Sequence, residues 1–118
     1  MEENKNLVRE FYNTLWNRWS FEVAETLLAE NIVFRGSIGI TKKGRSGFIE
    51  YAKLIRQAFP DFHNTIEELI AEGNKVAARL TYRGTHLGEI LGRGPTHRPI
   101  EYAGVAIFTI EDGKISAL

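Results

Sequence analysis

Two tight-turn signals divide the second half of the chain into long strand-like segments. The tetrapeptides EGNK at positions 72–75 and EDGK at positions 111–114 each stand between apolar runs. Residue pairs that tolerate positive φ are strong marks of short hairpins in such a setting. The segments at 62–71, 76–85 and 100–110 read as strands, and 76–85 alternates apolar with polar positions as a half-buried strand does. The sequence therefore predicts an antiparallel meander for this half.

The first sixty residues carry helical patterns instead. Apolar residues recur at helical spacing from 5 to 19, which predicts a first helix with one apolar stripe. Ser20 is predicted to cap a second helix with an inner face that reaches Leu28, and Ser46 to cap a third that ends before Pro60. A short strand at 32–35 and a glycine-rich loop at 36–44 lie between these two helices.

Glycines at positions 84, 88, 92 and 94 interrupt the connection into the segment at 100–110. Glycine in or beside a strand marks bulges and bends, so the sheet is predicted to curve here. A strongly bent antiparallel sheet with about three helices on its concave face forms a cone, and the space between the layers becomes a pocket unless side chains fill it. We expect one α+β domain over residues 1–118.

Composition narrows the function classes. The 118 residues are 43% hydrophobic, enough for a genuine core, and contain no cysteine, which excludes a disulfide framework and thiolate chemistry. The 15 basic residues balance the 15 acidic ones, so nothing favours nucleic acid or a membrane surface as partner. The polar start and the lack of a long apolar run favour a cytoplasmic protein. We expect its partner to be a small molecule or another copy of the chain.

Four segments carry a resemblance to a known family. The motifs AFPDFH at 58–63, EGNKVAAR at 72–79, RGTHLGE at 83–89 and GKI at 113–115 resemble, in order and spacing, the SnoaL-like polyketide cyclases of the NTF2-like superfamily. The resemblance covers nearly the whole chain. It implies a cone-shaped α+β barrel that is usually dimeric or tetrameric. It also implies a cofactor-free intramolecular aldol ring closure, in which an acid/base group removes a proton next to a carbonyl.

The sequence departs from the family at the last strand. The family's acid/base aspartate lies a few residues beyond the GKI turn, usually after a tryptophan, and the sequence printed here reaches only Leu118. Residues 115–118 would also pair with only about half of the strand at 100–110, which leaves an open ladder. We expect either a longer natural chain or another segment or subunit over that edge.

Three side chains are candidates for polar roles in the pocket. His86 is predicted on the inward face of its strand, where it would act as an acid/base group or remain a structural histidine. Arg35 would hold a carboxylate or enolate oxygen, or else face solvent. Arg79 would either bind the substrate or pair with Glu67 or Glu101, and pairing is favoured. Asp61 is predicted to stabilise a turn.

The aromatic inventory is large for a small domain, and part of it is predicted to line the pocket and stack on a flat ligand. The predicted contacts are Tyr12, Trp16, Trp19, Phe34, Tyr51, Phe59 and Tyr82. The tyrosines at 12 and 82 would also offer hydroxyls. His63 and His97 are expected to be exposed, and the histidine spacing matches no metal site, so no metal or cofactor is expected.

Two functions therefore compete. The first is a small-molecule cyclase or isomerase that works by acid/base catalysis on an apolar carbonyl substrate. The second is a non-catalytic module that binds a small ligand or forms a homodimer. An epoxide-hydrolase-like activity is less favoured, because it needs paired acidic residues and Glu101 is the only obvious candidate.

Overall fold

A computed structural model describes residues 2–35, 41–90 and 94–118. Helix α1 spans Glu2–Glu10 and continues directly as a π-helix over Phe11–Trp16. A 3₁₀ turn at Phe21–Val23 leads into the short helix α2, Ala24–Leu27, and the long helix α3 spans Arg45–Ala58. The three predicted helical segments are thus present.

Six strands form one sheet. They are β1 Leu28–Arg35, β2 Thr41–Lys43, β3 His63–Glu72, β4 Lys75–Thr85, β5 Pro99–Glu111 and β6 Lys114–Ala117. Their order is β2-β1-β6-β5-β4-β3. The predicted meander is confirmed from β3 to β6, but the sheet is mixed, not wholly antiparallel, because β1 runs parallel to β6.

Both predicted hairpin turns are present. Gly73 has a φ of 58° between β3 and β4, and Asp112 and Gly113 have φ values of 51° and 76° between β5 and β6. Glycine and aspartate tolerate this left-handed region better than most residues, so the turn chemistry read from the sequence is also what closes the hairpins.

The predicted helix starts need correction. Ser46 lies inside the first turn of α3, and the residue before the helix is Gly44, with a φ of 81°. The Ser20 hydroxyl makes no cap bond and donates to the Glu22 carboxylate at 2.7 Å. Leu28 leaves the second helix and begins β1, because pairing with Ile115 of β6 draws it into the sheet.

The core lies between the helices and the inner face of the sheet. Phe11 contacts Phe48 of α3 and Phe108 of β5, with ring centroids 5.5 and 5.4 Å apart. Val76 and Leu80 of β4 are fully buried beneath this aromatic layer. Each such side chain stabilises the fold by roughly 1.5–3 kcal/mol through removal of apolar surface from water, so the helical layer is held firmly over the sheet.

The sheet is not closed at β5. Residues 99–109 of β5 pair with β4, but on its other side β6 reaches only Thr109, Ile110 and Glu111. Among the strands that the structure describes, none pairs with the rest of that edge. The open ladder predicted from the sequence is therefore present. In the same described residues, no helix has the length and apolar character needed to cross a membrane.

Candidate functional site

A cavity of about 540 Å³ lies between the helical layer and the concave face of the sheet. Its lining is mostly aromatic and aliphatic, with a few polar groups, as in typical small-ligand sites. The lining residues are Phe11, Tyr12, Trp16, Phe34, Arg35, Tyr51, Ile55, Phe59, Phe62, Asn64, Tyr82, Ile90, Ile100, Tyr102, Val105, Ala106, Ile107 and Leu118. The size and the apolar walls suit a flat organic molecule.

The π-helix positions one wall of this cavity. Asn17 N donates to the Tyr12 carbonyl oxygen at 2.8 Å, a bond that spans five residues where an α-helix spans four. The wider turn buries Phe11, Tyr12 and Trp16 together on the side that faces the sheet. The sequence predicted a regular helix here, since a π-helix leaves no mark in apolar spacing.

Aromatic rings form the side walls. The Trp16 ring lies 6.2 Å from Tyr51 and 5.9 Å from Phe62 between centroids, and Phe34 lies 4.7 Å from Tyr51. Phe62 in turn stacks on Tyr82, with an angle of 14° between the ring planes. A planar ligand would meet rings on several sides and could stack against them.

Gly104 of β5 makes room for the Tyr82 ring. These two positions face the same side of neighbouring strands, and a Cβ at Gly104 would lie 2.8 Å from Cε2 of Tyr82. Any other residue at 104 would displace the ring. The missing side chain therefore lets Tyr82 lie flat across the sheet, with its hydroxyl near that of Tyr12.

Tyr12 and Tyr82 both line the cavity, and their hydroxyls lie near each other. Burial raises the pKa of Tyr12 well above its ordinary value, and the proximity of Tyr82 adds to the effect. Burial likewise raises the pKa of Tyr82. Both phenols therefore stay protonated at neutral pH. Each phenol carries one hydroxyl hydrogen that it can donate to a ligand.

Asn64, the first inward residue of β3, is a cavity residue that sequence reasoning missed. Its side chain is 1% exposed and its Oδ1 has no hydrogen-bond partner within residues 2–35, 41–90 and 94–118. Asn17 pairs with the other polar groups of Asn64. The Oδ1 atom of Asn17 accepts hydrogen bonds from Asn64 N and Nδ2 at 2.8 and 3.1 Å. Asn17 Nδ2 donates to the Asn64 carbonyl at 2.9 Å. A polar residue at an inward strand position was the available signal.

Seven of the predicted site residues line the cavity. They are Tyr12, Trp16, Phe34, Arg35, Tyr51, Phe59 and Tyr82. Arg35 is the last residue of β1 and lines the cavity together with Tyr102 and Val105 of β5.

Two predicted contacts lie elsewhere. Trp19 leaves the helical stripe because the π-helix ends at Trp16, and with a φ of 54° it packs beside Phe21 under the guanidinium of Arg56. Strand alternation places Arg79 on the outer face, where its Nε lies 3.5 Å from a carboxylate oxygen of Glu68. Ion pairing was the favoured prediction for Arg79, although the partner differs from those expected.

His86 is buried beside the cavity and does not line it. The strand β4 ends at Thr85, so the alternation used to predict an inward His86 no longer applies at 86. Its Nδ1 lies 3.0 Å from the Thr96 hydroxyl, and its Nε2 has no partner in the described part of the chain. The ring lies 5.4 Å from that of Phe59, which does line the cavity. His86 therefore lies behind Phe59.

Asp61 stabilises the junction between α3 and β3 from outside the cavity. Its carboxylate accepts from Thr85 N at 2.7 Å and from the Thr85 hydroxyl at 2.8 Å. These bonds hold the pKa of Asp61 below its ordinary value. The predicted turn-stabilising interaction is thus present.

The polar chemistry of the cavity consists of hydroxyls, an amide and a guanidinium. Of the lining residues that the structure describes, none is aspartate, glutamate or histidine. The described residues also bring no three potential metal ligands together. The site is therefore rich in hydrogen-bond donors for an oxygen atom.

Comparison with known proteins agrees with this architecture. The family model for SnoaL-like polyketide cyclase matches residues 6–117. No curated protein matches the chain significantly.

Several solved structures share the fold. A protein from Jannaschia sp. CCS1, assigned as a SnoaL-like polyketide cyclase, superposes with a TM-score of 0.91 at 19% identity, over 98% of this chain and 82% of that one. AclR from Streptomyces galilaeus, assigned as a hydroxylase, superposes with a TM-score of 0.82 at 27% identity, over 99% of this chain and 76% of AclR. IdmH from Streptomyces antibioticus, assigned as a polyketide cyclase, superposes with a TM-score of 0.81 at 26% identity, over 97% of this chain and 87% of IdmH. With a family model that spans almost its entire length, the chain belongs to the SnoaL-like polyketide cyclase family.

Proposed function

We propose that the cavity binds a flat, largely apolar carbonyl compound and closes a ring in it by an aldol-type reaction that relies on acid/base catalysis. The observation that carries this proposal is the aromatic cavity, to which Tyr12, Tyr82 and Arg35 contribute hydrogen-bond donors. Membership of the family and the likeness to IdmH, assigned as a polyketide cyclase, support the same reaction class.

The donors account for the stabilisation of negative charge. Removal of a proton next to a carbonyl places charge on the carbonyl oxygen, and fixed donors in a site shielded from water stabilise such charge effectively. Tyr12 and Tyr82 offer hydroxyl hydrogens, and Arg35 offers a guanidinium. The raised pKa of Tyr12 keeps it a donor at any physiological pH.

We assign proton transfer to His86. In the tautomer whose Nδ1–H donates to the Thr96 hydroxyl, Nε2 carries the lone pair and can take a proton. The ring of Phe59, which lines the cavity, lies 5.4 Å from the His86 ring, and we propose that a movement of the Phe59 side chain brings Nε2 within reach of a bound substrate. The enolate then attacks a second carbonyl of the same molecule, and the alkoxide formed takes the proton back from His86.

A deuterium-exchange assay tests the first step separately from ring closure. A naphthyl methyl ketone is incubated with the protein in D₂O, and loss of the methyl proton signal is followed by NMR. We expect the wild type to accelerate exchange and His86→Gln to slow it by about a hundredfold, the usual size of a general-base effect. His63→Gln, which changes an exposed histidine outside the cavity, serves as the matched control.

The outcomes separate the assignments. Exchange that persists in His86→Gln would remove His86 from the mechanism and leave the donor site as the catalytic element. Absence of exchange in the wild type would refute catalysis of this kind.

A second function is favoured by one observation, the absence of aspartate, glutamate and histidine from the described lining of the cavity. Under this alternative the protein holds the same class of ligand without converting it. Calorimetric binding of the ketone together with no exchange would support the alternative. For either function we propose a cytoplasmic location and a homodimer.

A further inference from the structure

Asn64 presents an unused hydrogen-bond acceptor in an otherwise donor-rich cavity. Its side chain is almost completely buried, and Oδ1 has no partner among the described residues. An unpaired buried acceptor destabilises the folded protein, because it has lost its hydrogen bond to water. Since Asn64 also lines the cavity, a bound ligand is the natural source of the missing donor.

The orientation of the Asn64 amide is fixed by its neighbour. Asn17 Oδ1 faces the backbone N–H of Asn64, which can only donate, and Asn17 Nδ2 faces a backbone carbonyl, which can only accept. The Asn17 amide therefore has one allowed orientation, and its Oδ1 requires the Nδ2 group of Asn64 on that side. Consequently Oδ1 of Asn64 must be the atom that points away from Asn17.

The residue that carries this acceptor lies on the strand next to that of Tyr82. Asn64 and Tyr82 are register partners on the inner faces of β3 and β4. Cβ atoms of such partners are about 5 Å apart. The cavity therefore offers an acceptor and a hydroxyl donor on adjoining strands, which suits a ligand that carries both a carbonyl and a hydroxyl.

We propose that Asn64 Oδ1 accepts a hydrogen bond from a hydroxyl group of the ligand and thereby selects hydroxylated, phenol-type carbonyl compounds over their deoxy analogues. This inference rests on the proposed function for the location of the ligand in the cavity. It adds the substrate class, because an apolar wall alone cannot distinguish the two analogues, whereas a site built to pair a hydroxyl penalises its loss.

Calorimetry with a matched ligand pair tests the proposal without any need for turnover. A hydroxynaphthyl methyl ketone, with the hydroxyl on the ring remote from the acetyl group, is compared with the naphthyl methyl ketone that lacks it. We expect the wild type to bind the hydroxylated ketone about tenfold more tightly, the effect of one buried hydrogen bond. Equal affinity for both ketones would overturn the inference.

Two substitutions of Asn64 test whether this residue causes the preference for the hydroxylated ketone. Asn64→Leu has a similar shape but no acceptor, so the affinity ratio should fall to about one. Asn64→Asp, kept protonated by burial, retains an O–H donor for Asn17 Oδ1 and an acceptor oxygen for the ligand, so it should retain the preference. It also covers the case in which the leucine variant fails to fold. A preference that survives in a folded Asn64→Leu protein would place the hydroxyl recognition elsewhere and overturn the assignment.

Tyr82→Phe is the matched control on the neighbouring strand. It removes a hydroxyl from the same face, so the affinities for both ketones should fall by a similar factor and their ratio should stay the same. An affinity ratio that falls to one in this variant but not in Asn64→Leu would also contradict the assignment. Failure of deuterium exchange with an intact affinity ratio would refute catalysis and leave the ligand preference standing. The reverse result, exchange without a preference, would refute only the role of Asn64.

Discussion

Gly88 lies against the C-terminal end of α3 with no space for a side chain. A Cβ at this position would be 2.1 Å from the backbone oxygen of Gln57. The Gly88 and Leu87 N–H groups both donate to the Ala58 carbonyl, so the two backbones are held together. The glycine therefore secures the segment that carries His86 to the helix.

We expect Gly88→Ala to lower the free energy of unfolding by about 3 kcal/mol, because the clash is with backbone and the packed helix end has little room to withdraw. Urea unfolding followed by circular dichroism measures the change. Gly94→Ala is the matched control, since a Cβ there would meet nothing within 4 Å. An equal loss in both variants would contradict the steric explanation.

The Asp61 carboxylate gives the fold a pH dependence at the acid end. Its bonds to Thr85 favour the charged form and lower its pKa in the folded protein below the ordinary value of 3.8. The stabilisation is therefore complete above pH 3.8 and is lost as the pH falls through the folded-state pKa.

Asp61→Asn should accordingly be less stable than the wild type by about 1 kcal/mol at neutral pH, a modest value because the group is exposed to solvent. The difference should shrink as the pH falls below 3.8. Chemical unfolding of both proteins across this range provides the test. A difference that grows on acidification would show the sign to be wrong.

At the scale of elements, the end of the π-helix is fastened to the start of β3 by two asparagines 47 residues apart. Asn17 satisfies both the backbone N–H and the side-chain amide of the buried Asn64. This link joins the helical layer to the sheet at the floor of the cavity.

Asn17→Ala should destabilise the protein by about 2–4 kcal/mol, because it leaves buried donors of Asn64 without partners. It should also weaken binding of the hydroxylated ketone, since the Asn64 amide loses its fixed orientation. Thermal unfolding and calorimetry measure the two effects. Asn13→Ala, an exposed asparagine on the same π-helix, is the control and should change neither; an equal effect there would argue against the link.

The same elements show what the sequence could predict. The hairpins and the strands of the meander follow from local signals, namely turn residues at 72–75 and 111–114 and alternation along β4. The link between Asn17 and Asn64 joins distant positions, and nothing local in either residue marks it. The prediction that His86 faces inward extended the strand alternation past Thr85. The strand ends there, and the backbone N–H groups of His86 and Leu87 donate instead to the carbonyls of Arg98 and Ala58. The aromatic lining of the cavity was thus predictable from the sequence, but the polar link between Asn17 and Asn64 was not.

At the scale of the whole molecule, the outer face of the sheet carries an apolar row. Ile70, Ala77 and Ile107 are register partners across β3, β4 and β5, the two isoleucines are 60% and 61% exposed, and Ile107 also borders the cavity. Ion pairs such as Arg79–Glu68 flank this row. A patch of this kind with charges of both signs beside it suits a second copy related by a two-fold axis.

We propose that this face forms the homodimer, and we expect Ile70→Glu to shift the protein toward the monomer in sedimentation velocity. Ile70 does not line the cavity, so ketone binding by the monomer should be preserved. Leu87→Glu introduces the same charge at another exposed apolar residue and should leave the dimer intact. A monomeric wild type would contradict the proposal.

The short strand β6 lies between β1 and β5, and within the described sheet it alone joins β2 and β1 to β5, β4 and β3. The hairpins from β3 to β5 join near neighbours in sequence, whereas β1 pairs with residues that follow it by more than eighty positions. Loop closure over that distance is slow compared with hairpin formation. Folding is therefore expected to proceed in two stages, with β1 and its helices docking last. The cavity is lined by residues from both sides of β6 in the sheet. It should therefore form only when the four residues of β6 have paired with their neighbours.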